Sequence, residues 1–162
     1  MKISTRGRYA VMAMADIAQQ NAQGHEKPIK LSDIGARQEI SLNYLEQIFG
    51  DLRRAGLVSS HRGAHGGYRL ASAPETIRIG DVIRAVDEPV DVTRCGASDG
   101  CLSKQGRCLT HDLWAELGHT IYGFLNAISL TDVVDGRPLP ALPVAEPVRL
   151  KDMVADLVEA GE

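Results

Sequence analysis

At 162 residues and 44% hydrophobic content the chain has room for one modest core and a small appended unit, and one Trp with two Phe is too few for the stacking platforms that grip single-stranded nucleic acid. The net charge of −3 hides an asymmetry: residues 1–70 carry ten Lys/Arg against six Asp/Glu, net +4, and residues 71–162 carry eight against fifteen, net −7. A basic front and an acidic back suit one module that touches phosphate and another that does not.

Lys2, Arg6 and Arg8, followed by the apolar run from Tyr9 to Ala15, imitate a secretion signal, but Asp16 ends the run and Gln19, Gln20 and Asn21 continue a helical pattern. The expectation is a cytoplasmic protein with no membrane span. It opens on an amphipathic helix capped by Ser4, reaching about Gln20, with Tyr9, Met12, Ala13 and Ile17 on one face. Gly24 to Pro28 reads as a turn. Ser32 then caps a short helix over Asp33 to Gln38, Glu39, Ile40 and Ser41 make a turn, and a third helix runs from Leu42 to Ala55, where Gly56 stops it.

Two short helices joined by three residues have the pattern of a helix-turn-helix, whose second helix lays its N-terminal residues on base edges in the major groove of double-stranded DNA. That places Leu42, Asn43, Tyr44, Glu46 and Gln47 at the reading end and turns Leu45, Ile48, Phe49 and Leu52 to the core. Asn and Gln side chains pair with adenine, and Glu accepts from cytosine. Leu57 to Ser60 and Tyr68 to Ala71 read as two strands around a glycine-rich turn, the hairpin of a winged helix, with Arg62 at its tip suited to a narrow minor groove. A nucleotide-phosphate loop is excluded, since no Gly-Lys-Ser/Thr pattern and no helix follow. The candidate DNA contacts are Arg6, Arg8, Ser41, Asn43, Tyr44, Glu46, Gln47, Arg62 and His65. The fold expected is mainly α with a small β-hairpin wing.

From Pro74 the composition changes. Ile77 and Ile79 indicate a short extended piece, and Gly80 to Val86 a short helix closed off by Pro89. All three cysteines then fall in one loop, Cys95, Cys101 and Cys108, and His111 follows, a C-x5-C-x6-C-x2-H pattern. Three thiolates and an imidazole suit a tetrahedral zinc ion or a two-iron, two-sulfide cluster, and suit oxygen-preferring metals poorly. Only Cys108 and His111 are as close as zinc knuckles require, and Gly96, Gly100 and Gly106 let the loop wrap a larger object. The spacing therefore favours a cluster and leaves zinc open.

Thr110 caps a longer helix through about Ile128, with Leu113, Leu117, Ile121, Leu125 and Ile128 along one stripe. A stripe beyond the DNA module reads as a dimer seam, with burial in its own domain as the equivalent. His111, in the first turn, ties the ligand loop to this helix. Asp135 to Pro147 is a proline-rich linker, and Leu150, Met153, Val154, Leu157 and Val158 have the spacing of a terminal helix, with a disordered tail as the equal alternative.

Taken together, Arg6-Gly-Arg-Tyr-Ala10, the run Ser41 to Phe49, Leu52 to Val58, the wing from Arg62-Gly to Gly66-Gly-Tyr68, Ala85 to Glu88 and the cysteine loop resemble the IscR family of iron-sulfur cluster regulators over residues 1 to about 135. The resemblance implies a homodimeric winged-helix transcription factor holding one 2Fe-2S cluster per subunit through Cys95, Cys101, Cys108 and His111, loaded by an iron-sulfur assembly scaffold. It implies repression of cluster-assembly genes by the loaded form, and action of some members at other promoters without the cluster. Glu46 matches a position where a carboxylate influences which sites are accepted. The loop has six residues between Cys101 and Cys108 where the best-known members have five, which implies a changed path with ligation kept. The expected organisation is a DNA-binding domain over 1–89, a ligand loop over 90–109, a dimerisation helix over 110–134 and a linker with tail over 135–162. A zinc-stapled winged helix and, as a different class, a small electron carrier stand as alternatives. No nucleophile-base pair or substrate motif indicates an enzyme.

Overall fold

The computed structural model describes residues 4–63, 66–86 and 109–141. The expected terminal helix at 150–158 lies outside them, as do Cys95, Cys101, Cys108 and His65. Helix α1 (Thr5–Ala22) begins where expected, with the Gly7 amide donating to the Ser4 side chain at 2.9 Å. Its buried face is made of small residues, Gly7, Ala10, Ala13 and Ala18, together with Met14, Asp16 and Ile17. Met12, placed inward by the sequence reading, is exposed. Small side chains let neighbours approach α1 from several sides, and it packs against the next three helices, the short last helix and one strand of the hairpin described below.

Helix α2 (Leu31–Gln38) starts earlier than expected: Lys30 is its N-cap, and Ser32 lies within the first turn with its hydroxyl on Asp33. It ends in a left-handed residue, Glu39, with φ 55°, and the Ile40 amide donates back to the Gly35 carbonyl at 3.1 Å. A side chain on Gly35 would meet the Ile40 carbonyl oxygen at 2.7 Å, so this turn requires glycine there. Helix α3 (Leu42–Arg54) follows, with Leu45, Ile48, Phe49 and Leu52 all buried as its spacing predicts.

Strands β1 (Val58–His61) and β2 (Gly67–Leu70) pair antiparallel, with Val58 opposite Leu70 and His61 opposite Gly67. The wing root is fixed from outside the hairpin. Ile29, just ahead of α2, exchanges two backbone hydrogen bonds with Tyr68, at 2.9 and 2.8 Å, and the Tyr68 ring meets Phe49 edge-on at 4.8 Å. Gly67 sits so close to Ile29 that a Cβ would approach its carbonyl oxygen to 2.4 Å.

Helix α4 (Ile79–Val86) buries Val82, Ile83 and Val86 against α1 and α3. Helix α5 (His111–Ala127) has Thr110 at its N-cap without the expected side-chain capping bond. The chain then breaks direction. Ile79 donates to the Ile128 carbonyl and Leu130 to the Ile77 carbonyl, both at 3.0 Å, so the extended piece at 77–79 pairs with 128–130. A helix not anticipated from the sequence, α6 (Leu130–Val134), packs on α1 behind a reciprocal cap in which Ser129 and Asp132 each bond the other's backbone amide. Residues 130–134 therefore form no part of the long helix.

Candidate nucleic-acid interface

The exposed side of α3 carries Asn43, Glu46 and Gln47, which stand three and four residues apart and so share one face, over a sealed apolar side. Leu42 is exposed beside them. Ser41, the α3 N-cap, is exposed and makes no capping bond with its side chain. Arg62 stands exposed at the wing, and Arg8 is exposed on α1 with a long contact to Thr5.

Two of the expected contacts sit differently. Tyr44 is half-buried, its ring edge-on to Tyr9 of α1 at 5.8 Å, so packing engages much of its surface. Arg6 is held in an ion pair with Asp51 of α3, which also pairs with Arg54. Its guanidinium fastens α1 to α3.

A buried ionic site that the sequence reading did not single out lies between α1 and the end of α2. The Asp16 side chain is 1% exposed. Arg37 donates to it through Nη2 at 2.6 Å and Nε at 3.0 Å, and Gln38 adds a third donor at 2.9 Å. The hydrogen bonds from Arg37 to Asp16 hold the guanidinium above its ordinary pKa against the opposing effect of burial. The available signal was a carboxylate inside the face that also buries Ala13, Met14 and Ile17.

His111 is the one proposed ligand within the described residues. It is 8% exposed, although it opens α5 two residues after a fully exposed Leu109. Among the described residues no three His, Cys, Asp or Glu side chains converge on one point, and the three cysteines lie outside them. Three soft thiols and a shielded imidazole are chemically suited to an iron-sulfur cluster with one nitrogen ligand.

Helix α5 divides along its length. Leu125 and Ile128 belong to the core, and Arg84 of α4 lies over the Tyr122 ring at 5.3 Å. Toward the N-terminus Leu113 is 63% exposed, and Trp114 and Leu117 are also open. Among the described residues no helix is long and apolar enough to cross a membrane.

The Rrf2 family, described as "Iron-dependent Transcriptional regulator", matches residues 3–136. The HTH-type transcriptional regulator IscR of Aliivibrio salmonicida is 52% identical over 136 residues, which cover 83% of this chain and 77% of that relative. The solved structure of T. potens IscR matches with a TM-score of 0.67 and 36% identity over 87% of this chain and 94% of that one. CymR, the global cysteine regulator of B. subtilis, matches at 0.69 with 33% identity, over 85% and 99%.

Proposed function

The chain belongs to the Rrf2 family of DNA-binding transcriptional regulators, a premise from which we propose that it senses iron-sulfur status through a 2Fe-2S cluster held by Cys95, Cys101, Cys108 and His111. In this reading the loaded protein represses cluster-assembly genes from the cytoplasm, as a homodimer paired through the open half of α5, and receives its cluster from an assembly scaffold. The observation that carries the reading is the position of His111. It is a shielded imidazole on the first residue of a helix whose other end is built into the DNA-binding head.

Bound there, the cluster would supply a redox-active cross-link between the cysteine loop and α5. The chain's own residues do the rest. Asn43 and Gln47 offer paired donor and acceptor groups for adenine, and Glu46 accepts from cytosine. Arg8, Arg62 and His65, with Ser41 at the helix start, hold the duplex by phosphate and minor-groove contacts. Arg6 and Tyr44 keep α3 seated on α1 for that purpose.

Promoter DNA of the organism's own cluster-assembly genes, titrated with protein before and after iron chelation, tests this reading. We expect affinity to differ by about tenfold between the two forms, the size of an ordinary allosteric coupling. Identical binding by both forms contradicts it, and retention of one zinc per chain under the same treatment marks the loop as structural.

A further inference from the structure

The two residues that fasten Asp16 are the last two of α2, and only Glu39 and Ile40 separate them from Ser41, the N-cap of α3. This short connection is itself fixed, because Ile40 is buried and bonded back to Gly35. A rotation or slide of the α2 terminus is therefore passed to the first turn of α3, where Asn43 and Gln47 stand.

Apolar contacts do not fix that rotation by themselves. Hydrophobic burial is non-directional, and the side chains that α1 and α2 give to the shared core are small or aliphatic, Ala13, Ile17 and Ile34 among them. A guanidinium fork on a carboxylate is directional, and the Gln38 amide on the same carboxylate adds a second, independent constraint. An ion pair whose carboxylate is buried loses much of its Coulombic gain to desolvation, so its effect here is chiefly on geometry. Arg6 and Asp51 anchor the far part of α3 to the same helix α1, so the reading helix is held toward both ends from one frame.

We propose that Asp16 is a positioning residue for DNA reading: its buried carboxylate, fastened to Arg37 and Gln38, sets the angle at which α3 meets the groove and so governs discrimination among sequences. It touches no DNA, and it acts through helices that do. The inference rests on α3 being the reading helix.

The test uses the full chain as isolated and two probes, a duplex selected by the unaltered protein from a random pool and a scrambled duplex of the same composition. Anisotropy titrations over a range of salt give affinity and salt slope for each. Asp16→Asn is expected to lose about tenfold on the selected duplex, the cost of one misplaced base contact, with less than about twofold change on the scrambled one and an unaltered salt slope. Arg37→Lys, which keeps the charge but removes the fork at a partly open side chain, is expected to do the same, and it decides the matter alone if circular dichroism shows that Asp16→Asn does not fold. Equal losses on both duplexes, or no loss on either, overturn the proposal. Gln47→Ala separates the premise from the inference. If it leaves discrimination intact also when combined with Asn43→Ala and Glu46→Ala, α3 is not the reader and the proposal falls with it, whereas loss in these variants without loss in Asp16→Asn or Arg37→Lys overturns the positioning role alone.

Discussion

The two ends of α5 live in different environments, and the contrast shows how the molecule divides its work. The C-terminal end is stitched into the head by the pairing of 128–130 with 77–79 and by buried Leu125, Ile128 and Leu130. The N-terminal end carries a buried His111 beside exposed Leu113, Trp114 and Leu117. The head, α1 to α4 with its wing, shares one continuous core with the C-terminal end of α5. Exposed apolar residues grouped on a helix that leaves such a core are suited to a second copy.

Substitutions at the two ends should separate stability from assembly. Phe49→Ala removes a fully buried ring from the head and is expected to cost about 3–5 kcal/mol, read as a fall in the denaturant midpoint. Leu113→Glu with Leu117→Glu, on side chains already open, is expected to reduce the mass in solution from two chains to one while leaving the head's circular dichroism unchanged. A mass that stays at two chains removes α5 as the seam.

Within the head, the wing is the finer test. Gly67→Ala forces Ile29 and β2 apart and is expected to destabilise by about 1–3 kcal/mol, with loss of amide protection at Tyr68 before the rest of the core. The smallest effect concerns α6. Hydrogen bonds from the Ser129 side chain and then its backbone hold the Asp132 carboxyl below its usual range. A carboxylate whose folded pKa is lowered contributes stability above its unfolded value and loses it as pH falls through the folded one. Thermal stability should therefore fall as acid passes below the ordinary carboxylate range, and Ser129→Ala should flatten that fall. An unchanged slope removes the cap from the account.

Helix α3 was legible because it obeys one strong period, with apolar residues at 45, 48, 49 and 52, and its glycine stop at 56 has φ 74°. Helix α1 was legible in extent and in the burial of Ala13 and Ile17, and misread at one position of its face. Alanines pack without announcing a side, so Met12 was chosen over Met14, and the buried Asp16 passed as the end of an apolar run. Helix α6 was missed because the stripe from Leu113 continues through Ile128, and the cap pair Ser129 and Asp132 that breaks it was not weighed. Of the proposed ligands, the pattern Cys95, Cys101, Cys108 and His111 was visible as spacing alone, and the shielding of His111 emerges only from the fold.

The loop joined to α5 is proposed to hold a cluster. Iron, acid-labile sulfide and zinc, quantified with the visible spectrum on one anaerobic preparation of the chain and of Cys95→Ala, test it most directly. A red-brown protein with about two iron and about two sulfide per chain, as a 2Fe-2S cluster requires, is expected, with loss of both in Cys95→Ala. A colourless protein with about one zinc per chain and no sulfide would contradict it and leave a winged-helix regulator with a structural staple.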